Sequence, residues 1–326
     1  MRGTNMAPRS VIITSASGNI GKELIPLLIR SALDIKIILP TTNAEKLRST
    51  IPAAASASEV AIEEGSIQDT AWLLSLLHKH SVDTVFLCLT GTDELFTTCN
   101  SLAVIARAGC VQHLIYLSGC GNYTSPGDVK TLLGSCISAH VLVKFVVEQK
   151  LLHGEDLPFT RTILGPSLFF TNDLRSKHEM LQSGLSDEPL GEAGVSRVHP
   201  GDIALAVQNC ILDHGRRWNM QKVMVGSKHS YTGAEIAALW SKALGKEVRM
   251  TRDMDAFEGK VAAMMGGGVS AKAWSTDLRC MYEYFGKYEF GMTSEDYDKQ
   301  VEVLGREPAD YEEWVLETGK SWTATD

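Results

Sequence analysis

Ser15, Ser17, Gly18 and Gly21 fall within Val11-Ile-Ile-Thr-Ser-Ala-Ser-Gly-Asn-Ile-Gly21, which runs straight into Lys22-Glu-Leu-Ile-Pro-Leu-Leu-Ile-Arg30. Small residues at this spacing suit the binding of a phosphate. Four β-prone residues lead into a short turn, and the turn opens an apolar helix, the pattern of a dinucleotide-binding loop. Gly18 lets the backbone approach a pyrophosphate, with Asn19 and Ile20 following it. Gly21 lets the helix pack close to the strand, and the free amides of the helix N-terminus attract an anion. Ser15 stands where the first glycine of G-x-x-G-x-x-G is expected. It narrows the space for the phosphates and fits there with a negative φ. A second candidate for chemistry is Tyr123, in Ser118-Gly-Cys-Gly-Asn-Tyr-Thr124. Its phenol is a possible proton donor to a substrate, and the Ser118 hydroxyl a possible partner for a substrate oxygen. The histidines are dispersed, without His-x-x-x-His or His-Glu-x-x-His spacing, so no metal site is expected.

Such residues need a frame, and the N-terminal half supplies one. Ile35-Lys-Ile-Ile-Leu39, Val60-Ala-Ile-Glu63, Val82-Asp-Thr-Val-Phe-Leu-Cys-Leu89, His113-Leu-Ile-Tyr-Leu117 and Phe159-Thr-Arg-Thr-Ile-Leu164 read as further strands. Helical stretches separate them, one running through Lys79 and another to Ala108. Near-continuous apolar strands between amphipathic helices predict an α/β fold with a doubly wound parallel sheet covered on both faces. A ligand then sits outside the carboxyl ends of the strands. Leu89-Thr-Gly-Thr92 closes the fourth of them, with Thr92 as an N-cap for the next helix.

Bulk properties agree. The chain has 326 residues, 44% of them hydrophobic and 21% charged, which argues against disorder. A net charge of −8, with no basic run, argues against nucleic acid as a partner. The longest apolar runs have strand length, so no membrane span is expected. Residues 1–10 lack the apolar core of a signal peptide. Seven scattered cysteines without a Cys-x-x-Cys pair suit reduced thiols in a cytoplasmic protein.

The order of the pieces resembles the NmrA-like branch of the atypical short-chain dehydrogenases/reductases. The segments that carry the resemblance are Thr14 to Gly21, Glu64-Gly-Ser-Ile-Gln-Asp69, Ala106 to Ser118, Lys144-Phe-Val-Val-Glu148, Phe159 to Asn172, His199-Pro-Gly-Asp-Ile-Ala204 and Tyr231 to Leu239. The resemblance implies a Rossmann-type NAD(P)-binding domain over 8–165 and a smaller mixed substrate lobe over 166–326, interleaved with the Rossmann core. It also implies cofactor contacts at Leu89, Thr90 and Gly91, at Ser118, and at Pro166 and Ser167. Phe169, Phe170, Asn172 and His199 are implied at the substrate.

Two departures from the family pattern bear on chemistry. The arginine that usually ends the second strand is absent, and Leu39-Pro-Thr-Thr42 stands there with no acidic residue. Thr41, Thr42, Lys46 and Arg48 are then the candidates for a 2′-phosphate, so NADP(H) is expected over NAD(H). The family's Tyr-x-x-x-Lys becomes His140-Val-Leu-Val-Lys144. Residues four apart share a helix face, so both can point at the cofactor. Lys144 keeps the ribose-binding role, and His140 becomes the acid or base.

In the C-terminal part, Asp202 is expected to cap a helix over 203–212. Thr232 and Glu235 form a capping box for a helix that ends at Gly245. Val261-Ala-Ala-Met-Met-Gly-Gly-Gly-Val269 is a candidate lid over an apolar substrate, and Tyr311 to Glu317 a final helix. The leading expectation is an NADP(H)-dependent oxidoreductase of a small, fairly apolar substrate in specialised metabolism, acting as a monomer or homodimer. Two alternatives stand beside it. One is an NADPH-binding enzyme of a non-redox cyclisation or rearrangement; the other is a catalytically silent NADP-sensing regulator.

Overall fold

A computed structural model describes residues 9–31, 34–51, 57–89, 93–121, 138–154 and 157–324. The chain divides into two compact units. The first comprises 1–118, 147–164 and 203–223; the second comprises 119–146, 165–202 and 224–326.

The first unit is built on a seven-stranded sheet. Its strands are β1 (Arg9–Ile13), β2 (Ile35–Thr41), β3 (Val60–Glu64), β4 (Thr84–Leu87), β5 (His113–Leu117), β6 (Thr160–Pro166) and β10 (Gln221–Val225). They lie in the order β10-β6-β5-β4-β1-β2-β3. The pairs from β3 through β6 are parallel, with Ile12 opposite Ile38 on one side and Val85 on the other. Parallel strands covered on both faces must be apolar throughout, and β4 and β5 are buried at every residue. The strand order reverses between β1 and β4, which is where an open α/β sheet takes its ligand. The helices are α1 (Asn19–Arg30), α2 (Ala44–Thr50), α3 (Thr70–Lys79), α4 (Glu94–Ala108) and α7 (Pro200–Asp213), the last shared with the second unit. Helix α5 (Ala139–His153) is also shared, its first eight residues in the second unit and the rest in the first.

The second unit holds β7 (Leu168–Phe169), β8 (Leu185–Ser186), β9 (Val195–Val198), β11 (Ser230–Tyr231) and β12 (Arg249–Met250) in two small sheets. A 3-10 turn over Phe170–Ser176 leads into α6 (Lys177–Ser183). Later come α8 (Gly233–Leu244), α9 (Met254–Met264), α10 (Gly268–Phe285), α11 (Ser294–Leu304) and α12 (Tyr311–Thr323). The capping box at Thr232 and Glu235 is present, and Gly245 ends α8 with φ at 65°. Asp202 departs from expectation. Helix α7 already starts at Pro200, and the Asp202 carboxylate accepts from Arg306 Nη2 at 2.6 Å and Ala309 N at 2.8 Å. Gly266, Gly267 and Gly268 all take positive φ between α9 and α10, and Val261 to Met264 of the candidate lid belong to α9.

A buried charge cluster organises the second unit. The fully buried Arg197 guanidinium pairs with Asp173 and, at 3.1 Å, with Glu188. Trp240 Nε1 and the Tyr311 hydroxyl also donate to Asp173, and the Tyr282 hydroxyl donates to Glu188. Burial pushes Asp173 upward against the pull of Arg197. Burial also raises Glu188, but Arg197 and Arg175 outweigh it and hold that carboxyl below its ordinary range. Removing one partner of a buried pair leaves an uncompensated charge and costs about 3–5 kcal/mol. Arg197→Met is therefore expected to lose about 3–5 kcal/mol in urea denaturation. Adding Asp173→Asn should recover part of that loss, because Asp173 is the carboxylate left without a cation, while Glu188 keeps Arg175.

Candidate functional site

In the first unit, β1 ends at Ile13 and the next residues are fastened to β4. Thr14 Oγ1 donates to the Cys88 carbonyl at 2.9 Å and accepts from Cys88 N at 2.7 Å. Ser15 has φ at 54°, not the negative value expected of it. A non-glycine residue in this region bears a cost of about 1–2 kcal/mol. Its hydroxyl offsets part of that by donating to the Cys88 carbonyl at 2.7 Å. Ser15 thereby does by hydrogen bonding what glycine does by lacking a side chain.

Two glycines then set how close backbone comes to backbone. A Cβ built on Gly21 would lie 2.1 Å from the Ala16 carbonyl oxygen, so no other residue fits. The close partner is the turn itself rather than the strand. A Cβ on Gly18 would sit 3.2 Å from the Ser15 carbonyl, which leaves Gly18 exposed and flat toward solvent. Helix α1 starts there with no side-chain cap and no acidic residue in its first turn. An uncapped helix start presents N–H donors and the positive end of the helix dipole.

These features border a cavity of about 360 Å³ at the ends of β1, β2, β3 and β4. Of the cofactor candidates named from the sequence, Ser15, Ser17, Thr41, Thr42 and Leu89 line it, and Gly18, Asn19 and Ile20 do not. Gly65 to Gln68, which follow β3, also line it, as do Asp93 and Glu94 at the start of α4. Position after a strand end was the available signal for Ser66 and Gln68. Asp93 accepts from Gln68 Nε2, and buried Glu94 accepts from the Tyr116 hydroxyl at 3.2 Å. Lys46 and Arg48 lie exposed on α2 and are not among the lining residues. The Thr41 hydroxyl is engaged in the turn to Asn43, whose side chain caps α2 on Lys46 N at 2.8 Å. Thr90 and Gly91 lie outside the described residues, as do Thr92 and Tyr123.

Ser118 is buried, and its hydroxyl donates to Glu148, which also pairs with Lys222 Nζ at 2.7 Å. Glu148 and Lys222 were not singled out from the sequence. Pro166 and Ser167 are buried, and the Ser167 hydroxyl donates to Ser196 at 3.0 Å.

In the second unit, Phe170 is fully buried and packs edge-on against His199 and Tyr311. Phe169 is half-buried, and its carbonyl accepts from Arg197. His199 Nδ1 accepts from Gly201 N at 3.0 Å. Asn172 lines a different cavity, of about 160 Å³, together with Phe257, Val261, Met264, Met265, Trp274 and Leu278. The α9 members recur at helical spacing and make one apolar stripe. Polar groups at its edge are already paired: Lys260 with Glu179 and Asp187, and Arg175 with Glu188 at 3.4 Å.

His140 and Lys144 lie one turn apart on α5. His140 Nδ1 meets the Asp277 carboxylate and lies 2.9 Å from the Ser138 hydroxyl. Its ring lies 5.2 Å from that of Trp274. Lys144 is half-buried on the same helix. Among the described residues, no three His, Cys, Asp or Glu side chains are placed to hold a metal. No helix among them is long and apolar enough to cross a membrane.

The chain belongs to the NmrA-like family, which it matches over residues 8–315. None of the curated proteins matches it. The NADPH-dependent quinone oxidoreductase of Escherichia coli, solved with NADPH, is 17% identical, with a TM-score of 0.71 over 94% of this chain and 99% of that one. NmrA, a negative transcriptional regulator solved with NADP, is 15% identical, with a TM-score of 0.71 over 98% of each chain. The triphenylmethane reductase of Citrobacter sp., solved with NADP(H), is 18% identical, with a TM-score of 0.69 over 95% of this chain and 99% of that one. At these identities the likeness establishes the fold.

Helices α9 and α10, which carry most of the apolar cavity, are clasped by Glu258. It accepts from Lys272 and Thr276 at 2.6 Å and from Arg279 at 3.1 Å. The Lys272 hydrogen bond, then those from Thr276 and Arg279, hold its carboxyl down at about 2, against an ordinary 4.5. A depressed carboxyl stabilises the fold fully above its ordinary value, and that contribution is lost as pH falls through the depressed one. The clasp should therefore weaken between pH 4.5 and about 2. Glu258→Gln is expected to be less stable than wild type at neutral pH, with a flatter decline across that window. Tryptophan fluorescence followed during acid titration checks it; equal slopes for the two proteins would refute the assignment.

Proposed function

We propose that this NmrA-like chain is an NADP(H)-dependent reductase of a small, fairly apolar substrate. The observation that carries the reading is the uncapped start of α1. It lies beside a cavity at the sheet's reversal point, where Gly18 and Gly21 keep side chains away from the backbone. A dinucleotide fits that donor set. Its pyrophosphate meets the α1 amides and the Ser17 hydroxyl, and its adenosine lies toward Thr41 and Thr42. A reduced nicotinamide, when bound, supplies hydride. The family resemblance assigns Lys144 to the nicotinamide ribose, and Leu89, Thr90, Gly91, Ser118, Pro166 and Ser167 to the rest of the cofactor. His140 and Tyr123 are the proposed proton carriers.

Hydrophobic packing favours an apolar substrate. The second unit's cavity is lined by Met264, Met265 and Trp274, and methionine adapts to irregular apolar shapes. The dinucleotide-bound reductases that share the fold support a redox reading. The fold shared with NmrA, and histidine in place of the family tyrosine, favour the alternatives of NADP sensing and non-redox rearrangement.

Cofactor choice rests on weak forces. Exposed charges such as Lys46 and Arg48 contribute at most about 1 kcal/mol each. NADPH should therefore bind tighter than NADH by at most about thirtyfold, and Lys46→Ala with Arg48→Ala should erase the difference. Gly18→Val should abolish binding of both, because its side chain would occupy the pyrophosphate's approach. Calorimetry with NADPH and NADH measures all three. A wild-type chain with no dinucleotide affinity refutes the site, and tighter NADH binding reverses the preference. Oxidation of NADPH with a panel of quinones, aldehydes and ketones tests turnover. Product without NADPH oxidation favours rearrangement, and binding without any product favours the sensor.

A further inference from the structure

Asp277 meets both the backbone and the side chain at the start of α5. Its Oδ1 accepts from Ala139 N and lies 3.2 Å from the Ser138 hydroxyl. Its Oδ2 meets His140 Nδ1 and lies 3.4 Å from His140 N. Both partners are largely out of solvent, with side-chain exposures of 17% for His140 and 10% for Asp277. Burial raises the Asp277 carboxyl, but the His140 hydrogen bond and charge, with the Ala139 and His140 amides, bring it below its ordinary range. An anion facing His140 fixes which nitrogen carries the proton. Nδ1 is the ring nitrogen that faces Oδ2, and among the described residues no group hydrogen-bonds Nε2. The set contains a serine, a histidine and an aspartate, but Ser138 and Asp277 address the same nitrogen. A serine nucleophile needs the opposite one, so this is no acyl-transfer relay.

His140 does not itself line the apolar cavity, and Trp274 is what connects the two. Trp274 and Asp277 lie three residues apart on α10 and so share a face. The indole packs against the His140 ring and also lines the apolar cavity of the second unit.

We propose that Asp277 is a positioning residue that holds His140 as the Nδ1–H tautomer, making Nε2 the atom that gives and takes a proton at a carbonyl or hydroxyl oxygen of an apolar ligand. In the forward direction the Nε2–H bond of the imidazolium breaks and an O–H bond forms on the ligand, whose oxygen has gained negative charge. The ring is left neutral, with Nδ1–H still on Asp277. The inference rests on the reading of this chain as an enzyme with an oxygenated apolar substrate, in which a reduced nicotinamide supplies the hydride. It replaces the family's phenol by an imidazole whose orientation comes from a carboxylate on another helix.

Asp277→Asn separates this from a purely structural cap. Asparagine keeps the oxygen that accepts from Ala139 N, but puts an NH₂ group where Oδ2 faced His140. The amide then donates to Nδ1, and His140 must carry its proton on Nε2. Nitrogen-15 NMR of imidazole-labelled, cofactor-free protein at alkaline pH reads this directly, with the His140 signals identified by their absence in His140→Gln. The expected result is Nδ1–H in wild type and Nε2–H in Asp277→Asn, with thermal stability little changed. An Nε2–H tautomer in wild type overturns the proposal. In parallel, turnover of para-benzoquinone, an aryl aldehyde and an aryl ketone with NADPH is measured. Both variants should lower kcat by about 10²–10⁴ while KM and NADPH affinity stay within about threefold. Wild-type turnover that neither variant reduces overturns this proposal alone. A wild type that binds NADPH but turns over none of the probes overturns the reductase reading, and the proton step with it.

Discussion

The first unit depends on a contact that only the absence of a side chain permits. Gly21 brings the first turn of α1 against the Ala16 carbonyl, at a distance where even a methyl group would overlap. That approach folds the residues after β1 back over the helix start. Ala16 is buried by it, while Ser15, Ser17, Gly18 and Asn19 remain at the surface. Thr14 anchors the other side of the turn by bonding both the carbonyl and the amide of Cys88. The turn is thus clamped between β4 and α1, and Ser15 within it takes a positive φ with its hydroxyl on the Cys88 carbonyl. The cavity is the consequence. Its walls are strand ends and turn backbone, and its donors are amides and hydroxyls rather than cations.

The second unit solves a different problem. Its two small sheets cannot hide much apolar surface, and its interior is built from rings: Phe170, Tyr231, Trp240, Tyr282, Tyr311 and Trp322 are all buried. Rings with polar tips need partners when they leave water. Asp173 and Glu188 serve as those partners, and Arg197 with Arg175 supplies the opposite charge. The cluster therefore does more than satisfy one guanidinium. It lets a tryptophan and two tyrosines pack as hydrophobic groups without stranding an N–H or O–H. The same logic explains why the pairs at the edge of the apolar cavity leave its floor to methionine, valine and tryptophan.

What the sequence revealed follows from the range of each interaction. The strands, the glycine turn, the capping box at Thr232 and the stop at Gly245 are local, and each is visible within a few residues. The conformation of Ser15 was not visible. The turn pattern indicated a loop, but not that a hydrogen bond to Cys88, 73 residues away, would hold it with φ positive. Asp202 looks like a cap because it precedes an apolar helical run; its carboxylate is instead drawn 104 residues along the chain to Arg306. Three glycines in a row mark a break between helices, but do not reveal that all three take positive φ between α9 and α10. Asp277 carried no local sign at all, since it meets His140 across 137 residues. Phe169 and Phe170 show a finer limit: adjacent and chemically alike, they differ in burial because the chain changes from strand to 3-10 turn between them.

Helix starts connect these observations. Half of the twelve described helices close their first turn with a nearby side chain: Asn43, Asp69, Thr232, Asp253, Thr293 and Asp310 each accept from an amide two or three residues into the helix. Such ends are electrically finished and have little left to offer a ligand. Helix α1 has no side-chain cap, and the turn just before it, Thr14 to Ser17, lines the cavity. Helix α5 is finished from outside, by Asp277 on α10. A carboxylate from another helix has a second oxygen to spend, and the nearest group with a proton to share is the imidazole of His140. The need to satisfy a backbone amide thus delivers an anion to a histidine, and a structural demand of the fold becomes the means of fixing that side chain's proton.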